Sequence, residues 1–305
     1  MTSSAKWTGL LVAVWIYIIA PVMSATPTHT RGDMHRFIYQ GDIVDFGVYP
    51  WFATLFVEME GGYGTYICGS VLAMRKWVIT AAHCVENAEF ITASFNDVYN
   101  PNHVWYPHPN RYGMYAFSHP AYNSETLQHD IAVIELNAPV DDISSPELAL
   151  DESQWESITP TQLLTVIGHG LTEKGTLDWE LRRINLPKVE RDTCVGDGPN
   201  QWHHSQVHDD LCAGYTSGCP TPSCPDACSG DSGGPLFDAA SNLVYGLVSR
   251  GEYPCGLANR PGIFTNLAWH KAFLDHYLHE TNDVNGTYSP PSEPPMYRGS
   301  AKRAT

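Results

Sequence analysis

The chain has 305 residues, with 17 Lys and Arg against 33 Asp and Glu and a formal net charge of −16 at pH 7. That acidity excludes a protein built to hold phosphate backbones, which require a basic field. Charged residues make up 16% and hydrophobic ones 43%, too much core material for a disordered chain, and the length admits one large β domain or two smaller domains.

At the N-terminus, Lys6 precedes an apolar run at residues 10–20, followed by a small-residue exit around Ser24 and Ala25. A charged start, an apolar run of about 7–15 residues and a small-residue cut site form the secretory signal pattern. The run is too short for an anchoring helix, which needs about 20 residues to cross a bilayer core of about 30 Å. Residues 1–25 are therefore expected to be a signal peptide, and the mature protein to be secreted and extracellular, without membrane association.

Export changes how the eight cysteines read: Cys68, Cys84, Cys194, Cys212, Cys219, Cys224, Cys228 and Cys255. An even count in an oxidising compartment favours disulfides, although counting alone does not give the pairing. A zinc site built from Cys219, Cys224 and Cys228 with a nearby His is the competing reading. It is disfavoured by Pro220, Pro222 and Pro225, which suit a stiff knot of turns.

Through the interior, short β-branched or aromatic runs lie at Trp77–Thr80, 131–136, 163–167, 243–248 and 262–265, between Gly, Pro, Asn and Asp clusters. Such punctuation predicts an all-β sandwich or barrel. One amphipathic helical pattern follows at 267–279. The polar, proline-rich residues 281–305 read as a flexible tail, in which Asn285 heads the glycosylation sequon Asn-Gly-Thr. No internal repeat is present.

Three motifs carry chemistry. GDSGGP at 230–235 places Ser232 in a glycine-rich turn, where main-chain N–H groups can approach a substrate carbonyl. A serine hydroxyl needs a positioned base, and TAAHC at 80–84 offers His83 at the end of a strand. HDIAV at 129–133 opens an apolar strand with Asp130, whose partly buried charge needs a partner such as an imidazole N–H. Each motif alone is modest: such turns are usually structural, 14 His residues make any one uninformative, and most strand-start aspartates are solvated. Their order His, Asp, Ser is the one found in the chymotrypsin arrangement and not in subtilisins or α/β-hydrolases.

With these motifs the chain resembles a chymotrypsin-like, trypsin-fold secreted serine protease. The resemblance runs over residues 38–279 and includes Pro50-Trp51, Cys68-Gly69-Ser70, Ser118-His119-Pro120, Leu211-Cys212-Ala213-Gly214 and Arg260-Pro261-Gly262. It implies two six-stranded antiparallel β-barrels with the active site between them and a C-terminal helix. It also implies Ser232 as nucleophile, His83 as general base and acid, Asp130 as the orienting carboxylate, and the N–H groups of Gly230 and Ser232 as the oxyanion hole.

By the same resemblance Asp226, six residues before Ser232, is the floor of a primary pocket for Arg or Lys. Ser249, Gly251 and Gly262 stand at substrate-binding wall positions. The implied disulfides are Cys68–Cys84, Cys194–Cys212 and Cys228–Cys255, leaving Cys219 and Cys224 for a local bridge or an exchange with Cys228. Cleavage after a propeptide of residues 26–37 would free Ile38 to pair with Asp231, in a domain spanning 38–280. Phe37 precedes Ile38 and Arg36 lies one further back, so either an aromatic-specific cut or a tryptic cut with trimming is required.

Two departures stand out. Arg250 and His169 occupy positions where the family usually carries Trp. Arg250 is expected either to add a positive rim or to crowd the pocket by reaching toward Asp226. His204 and His208, spaced i, i+4, suit a metal only if helical and lack a third ligand. No cofactor and no metal site are expected. The expected partners are protein or peptide substrates and protein inhibitors, with no nucleic acid, and the chain is read as a monomer. The alternative function is a catalytically silent binding or regulatory protein on the same fold.

Overall fold

A half-buried strand must alternate inward and outward side chains, because successive Cβ atoms point to opposite faces. Arg182–Val189 does so, burying Arg182, Ile184 and Leu186 while Arg183 and Asn185 face solvent. A computed structural model of the chain describes residues 37–62, 64–95, 110–159, 161–172, 180–190, 209–220, 223–278 and 302–303, all within a unit that begins at His35. The expected signal peptide, Cys194, His204, His208 and Asn285 lie outside the described residues.

In chain order the first strands are β1 (Asp42–Ile43), β2 (Phe52–Met59), β3 (Thr65–Met74), β4 (Trp77–Thr80), β5 (Ala88–Phe95), β6 (Arg111–Ser118) and β7 (Ala132–Leu136). The rest are β8 (Glu147–Leu148), β9 (Leu163–Gly168), β10 (Arg182–Val189), β11 (Asp210–Ala213), β12 (Pro235–Asp238), β13 (Leu243–Arg250), β14 (Gly262–Asn266) and β15 (Lys302–Arg303). Strands β6-β5-β2-β3-β4-β7 pair in that order, and β6 pairs with β7 to close the ring. Likewise β9-β10-β11-β14-β13-β12 closes where β12 pairs with β9. Both expected six-stranded antiparallel barrels are thus present, and closure leaves neither with an open edge. The short β1, β8 and β15 are added to β10, β13 and β6.

Two apolar cores hold the barrels. Leu55, Val57, Val71, Leu72, Ile79, Ile131 and Ile134 fill the first. Trp155, Leu164, Val166, Ile184, Leu211, Leu236 and Phe264 fill the second. The first core extends to Phe237 and Leu247 of the second barrel, where Tyr49 and Trp51 meet the Phe237 ring edge-on at 5.0 and 5.1 Å.

Three short helices complete the described chain: α1 (Phe37–Gln40), α2 (Glu152–Glu156) and α3 (Lys271–Tyr277). A capping box between Asp151 and Gln154 starts α2 and turns Trp155 inward. Helix α3 falls inside the expected 267–279, and its Tyr277 stacks on Phe117 of the first barrel at 4.7 Å. No helix among the described residues is long and apolar enough to cross a membrane.

Candidate active site

His83 sits in a single 3-10 turn, Ala82–Cys84, directly after β4. Ala81 and Ala82 are buried, and Cys84 is bonded to Cys68 of β3, so the turn is fixed on both sides. Asp130 then holds the histidine twice. Its Oδ1 accepts the His83 backbone N–H at 2.9 Å, and its Oδ2 lies 2.8 Å from His83 Nδ1. Asp130 is buried, and its Oδ2 also accepts the Ser249 hydroxyl at 2.7 Å. Buried carboxylates are tolerable only with such donors. Ser249, expected on a substrate wall, therefore also orients Asp130, a role that depends on a contact 119 residues away in the chain.

Ser232 lies in a tight turn between Cys228 and β12. Asp231 N–H donates to Cys228 O and Gly234 N–H to Asp231 O, each at 2.9 Å. Ser232 O accepts the N–H of Gly69 in β3 at 2.7 Å, and the Cys84 sulfur lies 3.6 Å from the same oxygen. The turn of one barrel is thereby set against the His83 segment of the other. Two glycines make this approach feasible. A Cβ on Gly69 would lie 2.7 Å from Gly234 Cα, and one on Gly233, at φ +75°, would lie 2.1 Å from Thr80 Oγ1. Among the described residues, the N–H groups of Gly230 and Ser232 make no hydrogen bond.

Asp226 is buried at a cavity of about 200 Å³ that Ser232, Ser249, Gly251 and Gly262 also line. Gly256 N–H donates to its Oδ2 at 2.9 Å and Ala227 N–H also donates, but burial dominates and pushes the carboxyl up to about 7. A Cβ on Gly251 would meet nothing within 4 Å, so the wall there is open. The Cys228–Cys255 disulfide joins two stretches of the lining, and Cys219–Cys224 is formed as the local bridge. Cys212 is disulfide-bonded as well; its expected partner Cys194 lies outside the described residues.

Arg250 does neither of the things expected of it. Its guanidinium turns away from Asp226, pairs with Asp210 of β11 and donates to Leu127 O and Ser249 Oγ at 3.3 Å. The side chain is 8% exposed, so it forms no positive rim; Arg250 lines the cavity, but its guanidinium is engaged by Asp210 rather than Asp226. The physical reason is a better partner: both Asp210 oxygens engage the guanidinium fork, whereas Asp226 already holds two amide donors. His169 is buried with its ring 6.0 Å from Phe52.

Asp231 is fully buried and accepts the N–H groups of Gly170 and Cys228 at 2.7 and 2.8 Å. Burial, with some repulsion from Asp226, pushes it up to about 7. A Cβ on Gly168 or Gly170 would fall within 2.3 Å of its carboxylate, so the Gly-His-Gly segment forms its socket. Ile38 is buried in the second core. In this uncut chain no hydrogen bond joins it to Asp231 among the described residues.

A family model described as Trypsin matches residues 38–274. Glandular kallikrein of Sus scrofa is 29% identical over 252 residues, covering 76% of this chain and 92% of that protein. CLIP domain-containing serine protease B8 of Anopheles gambiae is 30% identical over 78% of this chain and 64% of that protein. Clotting factor C of Tachypleus tridentatus is 31% identical over 82% of this chain, which spans only 27% of that longer protein. Among solved structures, HL collagenase aligns with a TM-score of 0.65 and 22% identity, covering 78% of this chain and 96% of that one, a likeness of fold. The barrels, the motifs they bring together and the family match over most of the chain agree: this protein belongs to the Trypsin family of serine proteases.

Proposed function

We propose that the protein is a secreted endopeptidase that cleaves peptide bonds after Arg or Lys through an acyl-enzyme, and that it is made as a zymogen. Ser232 Oγ attacks the scissile carbonyl while His83 Nε2 takes its proton. Asp130, bonded to Nδ1 and to the Ser249 hydroxyl, fixes the imidazole tautomer and offsets the imidazolium charge. The tetrahedral oxyanion is held by the N–H groups of Gly230 and Ser232, each worth about 3 kcal/mol in such sites. His83 then protonates the leaving amine, and water attacks the acyl-enzyme by the same proton route in reverse.

A single observation carries the specificity: the buried Asp226 carboxylate lines the same cavity as Ser232, and the one Arg of that lining, Arg250, pairs with Asp210 instead. A buried negative charge without a counter-ion is costly, and a substrate guanidinium or ammonium supplies one. Activation follows the same logic at Asp231. Cleavage before Ile38 creates an ammonium that neutralises a carboxylate otherwise held only by two amides.

The test is hydrolysis of paired peptides with Arg or Phe before a reporter group, using protein that begins at Ile38 and Ser232→Ala as control. Arg-selective turnover that vanishes in the control is expected. Phe-selective turnover would remove the role given to Asp226, and folded protein without turnover would favour a silent binding protein.

A further inference from the structure

One residue before Asp130, three imidazoles converge. His119 follows β6, His129 precedes Asp130, and His270 stands at the start of α3; one ring nitrogen of each lies within 4.8 Å of the others. The rings of His119 and His129 stack at 4.8 Å, with His270 edge-on to both at 5.2 and 5.5 Å. Asp209, directly before β11, sets a carboxylate beside two of the three rings, His270 and His129. Its Oδ1 lies 2.8 Å from His270 Nε2 and 3.4 Å from His129 Nδ1, and those two nitrogens are 3.3 Å apart. A tetrahedral ion with bonds of about 2.0–2.1 Å spaces its donors about 3.3 Å apart.

The outer contacts aim lone pairs inward. His270 Nδ1 donates to Asn266 O at 2.7 Å, which leaves the lone pair of a neutral ring at Nε2. Asp209 Oδ2 accepts the His129 backbone N–H at 2.6 Å and holds His129 in the left-handed region at φ 52°. Oδ1 is left over. Asp209 is 2% exposed, and its Oδ1 has no hydrogen-bond partner among the described residues although His270 Nε2 lies 2.8 Å away. An orphaned buried carboxylate oxygen facing a nitrogen lone pair is repulsive unless something cationic is shared between them.

His119 Nδ1 accepts the Ala121 N–H at 3.2 Å. His129 is 30% exposed, which gives an ion a way in.

We propose that His119, His129, His270 and Asp209 form a binding site for a divalent transition-metal cation of the zinc type. Neutral imidazoles with one carboxylate are the donor set such ions favour. The other metal-type grouping among the described residues, Cys68, His83 and Cys84, has its sulfurs joined in a disulfide and offers no thiolate. Occupancy reaches the proposed triad by two routes. His129 is bonded to Asp130, and Asp210, next to Asp209, holds the Arg250 guanidinium that donates to Ser249 Oγ. A cation beside Asp130 weakens the field that stabilises imidazolium at His83, so it lowers kcat; this consequence rests on the protease reading, whereas the binding does not.

The experiment uses the full chain with Ser232→Ala, stripped of metal by chelator, and titrates Zn²⁺ by calorimetry and Co²⁺ by visible absorption. One equivalent of Zn²⁺ and the intense bands of four-coordinate Co²⁺ are expected. His129→Asn, which tolerates the left-handed backbone, and His119→Ala should each weaken binding by more than about 100-fold, beyond the typical cost of losing an outer-shell partner. An arylamidine titration shows that each variant is folded. Absence of binding, or binding unchanged in both variants, overturns the site. In the active enzyme Zn²⁺ should lower kcat and leave KM unchanged, and His119→Ala should abolish that effect. Unchanged kcat at saturation overturns the coupling.

Discussion

In the proposed function, selectivity rests on one side chain, Asp226. Its carboxyl is raised from 3.8 to about 7 by burial, with only the Gly256 and Ala227 amides opposing. An entering cation binds the ionised form, so below about pH 7 binding must expel a proton and weakens by about tenfold per pH unit. The sign for stability is opposite. A raised acid contributes stability that is present below about pH 4 and lost as pH rises through 7, so a bound cation should raise Tm more at pH 8 than at pH 5.5. Calorimetry of an arylamidine with Ser232→Ala protein, in buffers of different ionisation enthalpy, measures both; affinity independent of pH from 5 to 8 would refute it. At this scale the sequence was informative wherever a motif fixed a residue against its chain neighbours, as at Asp226 and Ser232. It singled out Arg250 but not its partner Asp210, which lies 40 residues away and is met only after β11 and β13 flank β14.

Between elements, the decisive contact is backbone against backbone where β3 meets the Ser232 turn. Gly69 there has no room for a methyl group, with Gly234 Cα and N at 2.7 and 2.8 Å from where a Cβ would sit. Gly69→Ala should therefore push the turn away from β3, stretch the 2.7 Å Gly69–Ser232 hydrogen bond and misplace Ser232 against His83. A displacement near 1 Å costs on the order of 100-fold in rate. Arylamidine binding at Asp226 should survive, since its cavity does not involve Gly69. Steady-state kinetics beside that titration checks the split, and unchanged kcat/KM in Gly69→Ala would refute it. Strands were legible from alternation and turn residues, but their ends were not. The run ending at 248 continues to Arg250 across a bulge, and the helical pattern from 267 begins as a turn. There Asn266 Oδ1 accepts the Ala268 N–H and Asn266 O takes His270 Nδ1, so apolar spacing persists through residues that are not helical. The His119, His129 and His270 cluster was equally hidden, because its members are spread over 151 residues and share no local spacing.

Over the whole molecule, the proposed triad is divided between the barrels, with His83 and Asp130 from the first and Ser232, Ser249 and Asp226 from the second. Substrate must therefore enter along the seam, under the field of the entire chain. That field is strongly negative: 33 acidic against 17 basic residues. The proposed cleavage before Ile38 would remove three basic residues and one acidic residue and leave the chain more acidic still. A long-range field of this sign steers cationic peptides toward the enzyme and raises encounter rates, by about 10-fold or more in focused clefts. The effect depends on screening, because the Debye length falls from about 30 Å at 0.01 M salt to about 10 Å at 0.1 M. Two peptides with the same Arg before the cut, one otherwise neutral and one carrying two further Arg residues, separate steering from the local Asp226 contact. For the more basic peptide kcat/KM should fall steeply between 10 and about 300 mM salt, and for the otherwise neutral one much less. Equal slopes would mean that the acidic surface does not act on substrate approach, and that the pocket charge alone selects for cations.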